Sequence, residues 1–192
     1  MSKKQVVVYG ASGYTGRLIC EFLREYQVPF VAAGRNKARI EEALAKVPGI
    51  ETADYEIVEV KHTVAALTKL FNGRQVVCNS VGPFDYFGDV VVQAAAKANC
   101  HYMDTTGEQA FMLEMREKYA DAYNANGKIL APSVAYMYTP LDIASHIVLE
   151  DQSIDAIEAG CIASGIPTYG STQTIFSMFQ ADHLYLENNQ LV

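Results

Sequence analysis

Three glycines spaced three apart, in Gly10-Ala11-Ser12-Gly13-Tyr14-Thr15-Gly16, separate a short apolar run from an amphipathic one. The run Gln5 to Tyr9 has the character of a strand. From Tyr14 to Tyr26, Leu18, Ile19, Phe22, Leu23 and Tyr26 recur at the spacing of one helical face. A strand that enters a helix through glycines has the pattern of a phosphate-binding turn. Gly10 permits the tight turn, Gly13 lets backbone N–H groups approach a pyrophosphate, and Gly16 lets the helix pack close to the sheet. The helix N-terminus adds unpaired N–H groups and a positive dipole end. Ser12, Tyr14 and Thr15 lie in the same turn and complete the candidate set. The spacing is GxxGxxG rather than GxGxxG, so a plain tight turn between strand and helix is the alternative.

The same alternation continues to about residue 133. Strand-like segments are expected at Pro29 to Ala33, Ile57 to Val60, Val76 to Cys78, Tyr102 to Met103 and Ile129 to Leu130. Between them, Ile40, Leu44 and Val47, then Val64, Leu67 and Phe71, mark helical faces. Val90 to Ala98 and Phe111 to Tyr119 give two more. Unbroken apolar strands alternating with helices imply a parallel sheet covered on both faces. Right-handed crossovers then make it doubly wound, an α/β Rossmann arrangement. Residues 1–133 form this dinucleotide-binding unit. After Ser133 the pattern changes. Ile154 to Ala163 is read as a long strand, and a helix is expected from about Ser171. Residues 134–192 read as the start of a second α/β domain for substrate or dimerisation. About 60 residues are few for a complete domain, so a fragment, or a fold completed by a partner such as a second copy, is expected.

The end of the second strand bears on cofactor choice. NAD-binding folds usually place an acidic residue there for the ribose 2′-hydroxyl. This chain has Ala33-Gly34-Arg35-Asn36-Lys37, with no acidic residue before Glu41. An arginine fork suits a 2′-phosphate, so Arg35 points to NADP(H) over NAD(H), with Lys37 or Arg39 assisting. A solvated surface arginine is the alternative. The fourth strand runs into Asn79-Ser80-Val81-Gly82-Pro83-Phe84. Strand carboxyl ends line the ligand crevice of this fold, which makes Asn79, Val81, Gly82 and Pro83 candidate cofactor contacts or parts of a structural turn. In Asp104-Thr105-Thr106-Gly107-Glu108, Thr105 and Glu108 fit a capping box. The competing reading puts Asp104 or Glu108 beside the nicotinamide ribose or substrate.

Other chemistries find little purchase. His62, His101, His146 and His183 have no metal-ligand spacing, and Cys20, Cys78, Cys100 and Cys161 form no CxxC pair. None of the 12 tyrosines sits four residues before a lysine, which argues against the Tyr-Lys acid pair of short-chain dehydrogenases. Net charge is −7, a poor match for a phosphate backbone, so nucleic acid is not an expected partner. No apolar run approaches a membrane span or a signal-peptide core, and a cytoplasmic protein with reduced thiols is expected.

Taken together, these motifs resemble the saccharopine dehydrogenase-like oxidoreductases. The segments that carry the resemblance are Gly10 to Gly16, Ala33-Gly34-Arg35, Asn79 to Phe84, Tyr102 to Glu108 and the later Tyr169-Gly170-Ser171-Thr172. The resemblance implies an NAD(P)-dependent oxidoreductase with an N-terminal Rossmann domain and a C-terminal α/β substrate domain. The reaction expected is hydride transfer to or from an imine, enoyl or carbonyl group of a small molecule, with no catalytic residue assigned. Two alternatives stay open. One is a non-catalytic NADP(H)-binding sensor. The other is a semialdehyde or acyl-phosphate reductase, which needs an activated cysteine; Cys100 abuts a strand and Cys161 is expected within one.

Overall fold

The computed structural model describes residues 3–162, 164–179, 186–187 and 190–191. His183 and the end of the strand expected at Ala163 lie outside the described residues. Six strands form one parallel sheet: β1 (Val6–Tyr9), β2 (Phe30–Gly34), β3 (Tyr55–Glu59), β4 (Val76–Asn79), β5 (His101–Asp104) and β6 (Leu130–Ala131). Helices α1 (Tyr14–Glu25), α2 (Lys37–Leu44), α3 (Val64–Phe71), α4 (Phe84–Lys97) and α5 (Gln109–Ala125) connect them. The strand order is β3-β2-β1-β4-β5-β6. Val7 pairs with Val31 on one side and with Val77 on the other. This is the doubly wound α/β sheet expected from the alternation.

Alternation along β1 explains why both faces are covered. Val7 and Tyr9 point into a core shared with α3, α4 and α5, where Leu67, Phe71, Val91, Ala95, Phe111 and Met115 are buried. Val8 points the other way, into a core with Cys20 of α1 and Ile40 and Leu44 of α2. A strand buried on both faces must be apolar at every position, as Val6-Val7-Val8-Tyr9 is. Helices α4 and α5 run side by side in the same direction and pack closely because Gly88 leaves room for the Phe111 ring.

Gly10 and Gly16 fix the entry to α1. Gly10 has φ +96, and a Cβ there would lie 2.6 Å from Ser80 Oγ. The Gly10 carbonyl accepts from Gly13 N at 2.9 Å and sits where a Cβ on Gly16 would have to go. A Cβ on Gly16 would also come within 2.9 Å of Ala11 Cα. The close approach that Gly16 permits is therefore to the backbone of the turn itself.

Beyond the sheet the chain differs from expectation. Residues 154–162 form neither helix nor strand, and no strand pairing of theirs occurs among the described residues. After β6 come α6 (Thr139–Val148) and α7 (Tyr169–Met178). The described remainder includes a small antiparallel pair, β7 (Leu186–Glu187) with β8 (Gln190–Leu191). Among the described residues no helix is long and apolar enough to cross a membrane.

Gly16→Ala is expected to destabilise the fold by about 1–3 kcal/mol, the usual cost of overpacking against a backbone that cannot yield. Gly13 has φ −79, and a Cβ there would meet only Gly10 O at 3.3 Å. Gly13→Ala should therefore change stability by less than about 0.5 kcal/mol. Thermal unfolding followed by circular dichroism compares the two; equal melting temperatures would contradict the packing at Gly16.

Candidate functional site

The sheet order places the carboxyl ends of β1 and β4 side by side, the topological switch point where doubly wound folds bind ligands. On the β1 side, α1 begins without a side-chain cap, because its N-cap is Gly13. The first turn of a helix has no intrahelical acceptors for its amides, so Tyr14, Thr15 and Gly16 present donors and the positive end of the helix dipole. No acidic residue lies in that turn. Ser12 and Tyr14 are exposed and Thr15 half-buried. On the β4 side, Ser80 N donates to Tyr9 O at 2.9 Å, and Val81 packs against Gly10. The structure thus places Gly10, Ser12, Gly13, Tyr14, Thr15 and Gly16 in one turn with Val81 against Gly10, while Gly82 lies beside Phe84 and Thr174 and Pro83 lines a cleft against α7. Arg17, which the sequence did not single out, lies with its guanidinium 5.5 Å from the centre of the Tyr14 ring.

Arg35 stands at the end of β2, exposed, with no ion pair among the described residues. Behind it, Tyr9 and His62 stack at 5.9 Å, and Tyr9 OH lies 2.8 Å from His62 Nδ1. Burial pushes the Tyr9 phenol up to about 12, with Arg35 moderating the rise. Burial, and then the Arg35 charge, lowers the His62 pKa. A protonated phenol beside a neutral imidazole makes this a hydrogen bond between uncharged groups, its donor set by the His62 tautomer. The Asn36 side chain caps α2 through Arg39 N. Lys37 has its ammonium 3.8 Å from Glu41, and its backbone N–H donates to Glu59 at 2.8 Å. Glu59, arriving from β3, is a carboxylate in this region that local sequence could not reveal.

A buried hydrogen-bond chain runs beneath the crevice. Asn79 Oδ1 accepts from Val81 N at 3.0 Å, and its amide donates to Tyr102 OH at 3.1 Å. Tyr102 OH donates to Asp104 Oδ2 at 2.6 Å. Asp104 Oδ1 accepts from Thr106 N and Ser133 N, each at 2.9 Å. Asn79 and Asp104 are almost fully buried. The Asn79 side chain is therefore committed inward and does not face the crevice; it acts there by holding Val81. The same holds for Asp104, expected as a contact to ribose or substrate. Burial raises its pKa, against the lowering effect of its three hydrogen bonds.

The capping box expected between Thr105 and Glu108 does not form. Glu108 N donates instead to Thr106 Oγ1 at 3.0 Å. The Glu108 carboxylate crosses to α4 and accepts from Phe84 N at 2.9 Å and Asp85 N at 2.6 Å. Pro83 has no side-chain group to cap α4, and Glu108 takes that role. Burial is the largest influence on Glu108 and raises its pKa.

Helix α7 closes one side of the site. A Cβ on Gly82 would lie 3.6 Å from Thr174 Oγ1, and one on Gly107 3.8 Å from Met178 Sδ. Tyr138 OH donates to Gly107 O at 3.3 Å. Between the start of α4 and α7 lies a cleft of about 320 Å³. The cysteines do not approach it as activated thiols. Burial pushes Cys20 and Cys100 up to about 12 and Cys78 to about 11. Cys161 is exposed in an irregular segment, not within a strand. No cluster of metal-ligating side chains occurs among the described residues.

Comparison with known proteins agrees with this geometry. Residues 6–129 match the family model of the saccharopine dehydrogenase NADP binding domain, and residues 139–192 match a family of unknown function. A lipid droplet localized protein of Caenorhabditis elegans is 30% identical over 151 residues, covering 74% of this chain and 35% of that protein. The human saccharopine dehydrogenase-like oxidoreductase is 28% identical over 152 residues, covering 72% of this chain and 35% of that protein. The chain thus spans about a third of the length of these relatives. Among solved structures, a short-chain type dehydrogenase/reductase from Mycobacterium marinum superposes with a TM-score of 0.53 at 12% identity, covering 68% of this chain and 73% of that one. At that identity the likeness is one of fold.

Tyr102→Phe removes a donor from Asp104 and an acceptor from Asn79. The expected loss is about 1.5–3 kcal/mol, the range for hydrogen bonds to charged groups. Without the Tyr102 hydrogen bond the Asp104 pKa in the folded state rises further. A carboxyl raised by folding binds its proton more tightly when folded, so its contribution is fullest below the unfolded pKa of about 3.9 and is lost as pH rises through the folded value. Wild type and variant lose this contribution together until the pH reaches the wild type's own raised value, so the deficit of Tyr102→Phe should widen only above that value, towards neutrality. Urea unfolding at a series of pH values measures it; a deficit independent of pH would contradict a charged Asp104.

Proposed function

Because the chain belongs to the saccharopine dehydrogenase NADP binding domain family, we propose that it is the cofactor-binding part of an NADP(H)-dependent oxidoreductase acting on an imine, enoyl or carbonyl group. The observation that carries this reading is the pairing of two anion sites on adjacent strands. The uncapped start of α1 lies at the end of β1, and the unpaired Arg35 lies at the end of β2. A dinucleotide with a 2′-phosphate needs both.

In this reading the amides of Tyr14, Thr15 and Gly16 hold the pyrophosphate, with Ser12 and the bare Gly13 at its edge. Arg35 pairs with the 2′-phosphate, and Arg39 is closer to free than Lys37, which has Glu41 as its partner. Val81, Gly82 and Pro83 support the nicotinamide half, held in place by Asn79 from below. The chemistry that NADPH supplies when bound is a hydride, two electrons with one hydrogen, delivered to an acceptor double bond while solvent provides the balancing proton. The residues present fit that group: α1 starts with no side-chain cap and no acidic residue in its first turn, and Gly13 adds no side chain at its mouth. The cysteine-dependent reductase reading loses support, since the three buried thiols are all shifted away from the thiolate form.

Arg35→Ala should weaken NADPH binding by about 10- to 150-fold, corresponding to about 1.5–3 kcal/mol for hydrogen bonds to a charged group. NADH, which lacks the 2′-phosphate, should be nearly unaffected. Arg35→Asp should go further and bring the preference close to NADH, because the carboxylate repels phosphate and accepts from a ribose hydroxyl. Titration of nicotinamide fluorescence gives the ratio of the two dissociation constants. A ratio unmoved by Arg35→Asp would place the 2′-phosphate elsewhere.

A further inference from the structure

The order β2-β1-β4 gives a bound dinucleotide a direction. With its 2′-phosphate at Arg35 and its pyrophosphate at the Gly10 turn, its nicotinamide end falls at the end of β4, on Val81 to Pro83. Pro83 is also one wall of the cleft between the first turn of α4 and α7. The cleft therefore opens at the reactive end of the cofactor and not at its adenosine end.

Its lining has a definite chemistry. Tyr86, Tyr169 and Phe176 give it three aromatic walls, each more than half exposed, with Tyr86 set edge-on against Phe87 and Phe176 against Phe179. The remaining side chains, Thr172, Gln173 and Ser177, are uncharged. Thr172 donates its hydroxyl hydrogen to Thr168 O, and Ser177 donates to Thr174 O. Those oxygens can then only accept. The Gln173 amide donates to Tyr169 OH at 2.9 Å, which leaves that hydroxyl's own hydrogen available to a carbonyl. No Lys, Arg or His lines the cleft among the described residues. A carboxylate entering such a site would lose its hydration with no cation to meet it. A neutral carbonyl with an apolar or conjugated body would find aromatic surface and one donor.

Resting on the oxidoreductase reading above, we infer that this cleft is the substrate site, and that it takes an uncharged carbonyl compound with an apolar or conjugated body rather than a carboxylate-bearing amino-acid adduct. Tyr169 donates to the carbonyl, Phe176 and Tyr86 flank the apolar body, and Pro83 faces the nicotinamide end.

Calorimetric titration of the full 192-residue chain, saturated with NADP⁺, tests the assignment with two probes: trans-2-octenoyl-N-acetylcysteamine, which is neutral, and saccharopine, which carries carboxylates. The neutral probe should bind at least about tenfold more tightly. Phe176→Ala should weaken it by about tenfold, and Tyr169→Phe by about threefold to tenfold, with NADP⁺ affinity within about twofold of wild type in both. Gln173→Arg should narrow the gap between the probes. Tighter binding of saccharopine to the wild type, or a neutral-probe affinity unmoved by both Phe176→Ala and Tyr169→Phe, would overturn the assignment while leaving the cofactor reading intact. Failure of the wild type to bind NADP⁺ at all would overturn the oxidoreductase reading and this assignment with it.

Discussion

The carbonyl of Gly10 is the point on which the crevice is built. It accepts from Gly13 N, it occupies the space that any side chain on Gly16 would need, and its residue turns through φ +96 directly against Ser80. These contacts bring the end of β1, the start of α1 and the end of β4 within van der Waals distance of one another. A helix that starts this close to its strand cannot be capped by a side chain, because the cap position is itself a glycine. Its first amides are left pointing into the crevice. The proposed anion site would thus be a by-product of packing: Gly10 and Gly16 allow α1 to approach, and Gly13 beside them leaves its N-terminus without a side-chain cap.

A second set of constraints orders the loops around that site. The chain from Asn79 through Tyr102 to Asp104 holds the backbone at Val81, Thr106 and Ser133, so the carboxyl ends of β4, β5 and β6 are tied together by side chains below the surface. Glu108 extends the same arrangement to the start of α4. Buried polar groups of this kind are costly when half satisfied and rigid when complete. Here each carboxylate meets at least two donors, which is why two acidic residues can sit almost fully buried beneath a site whose ligand is an anion.

Much of this was legible in residue order. Strands buried on both faces are apolar throughout, helices between them show one apolar face, and both patterns survive in Val6-Val7-Val8 and in Leu18 to Tyr26. The glycine turn and Arg35 were legible because their chemistry is local. What could not be read was carried by contacts distant in sequence. Glu108 next to a threonine pattern looks like a cap for its own helix, and only the packing of α4 against α5 shows that it serves the other one. Asn79 at a strand end looks like a ligand contact until Tyr102, 23 residues on, is seen to receive its amide. Residues 154–162 have the composition of a strand, yet composition does not supply a pairing partner, and they pair with none among the described residues. Helix α7 was foreseen within two residues of its start, but not that it would face Gly82 and Gly107.

The pairing of β1 with β4 also bears on how the chain is made. Val7 meets Val31 after one helix, but meets Val77 only after two further strands and three helices have been passed. Contacts of that separation form late, since the closing loop must be ordered before the contact rewards it. As the chain emerges from the N-terminus, the first three strands find one another while the outer edge of β1 waits. That edge is Val6-Val7-Val8-Tyr9, apolar on both faces and without a charge to deter another strand. The segment that lies beneath the proposed nucleotide crevice in the finished protein therefore presents, until β4 is made, an open apolar edge to a neighbouring chain.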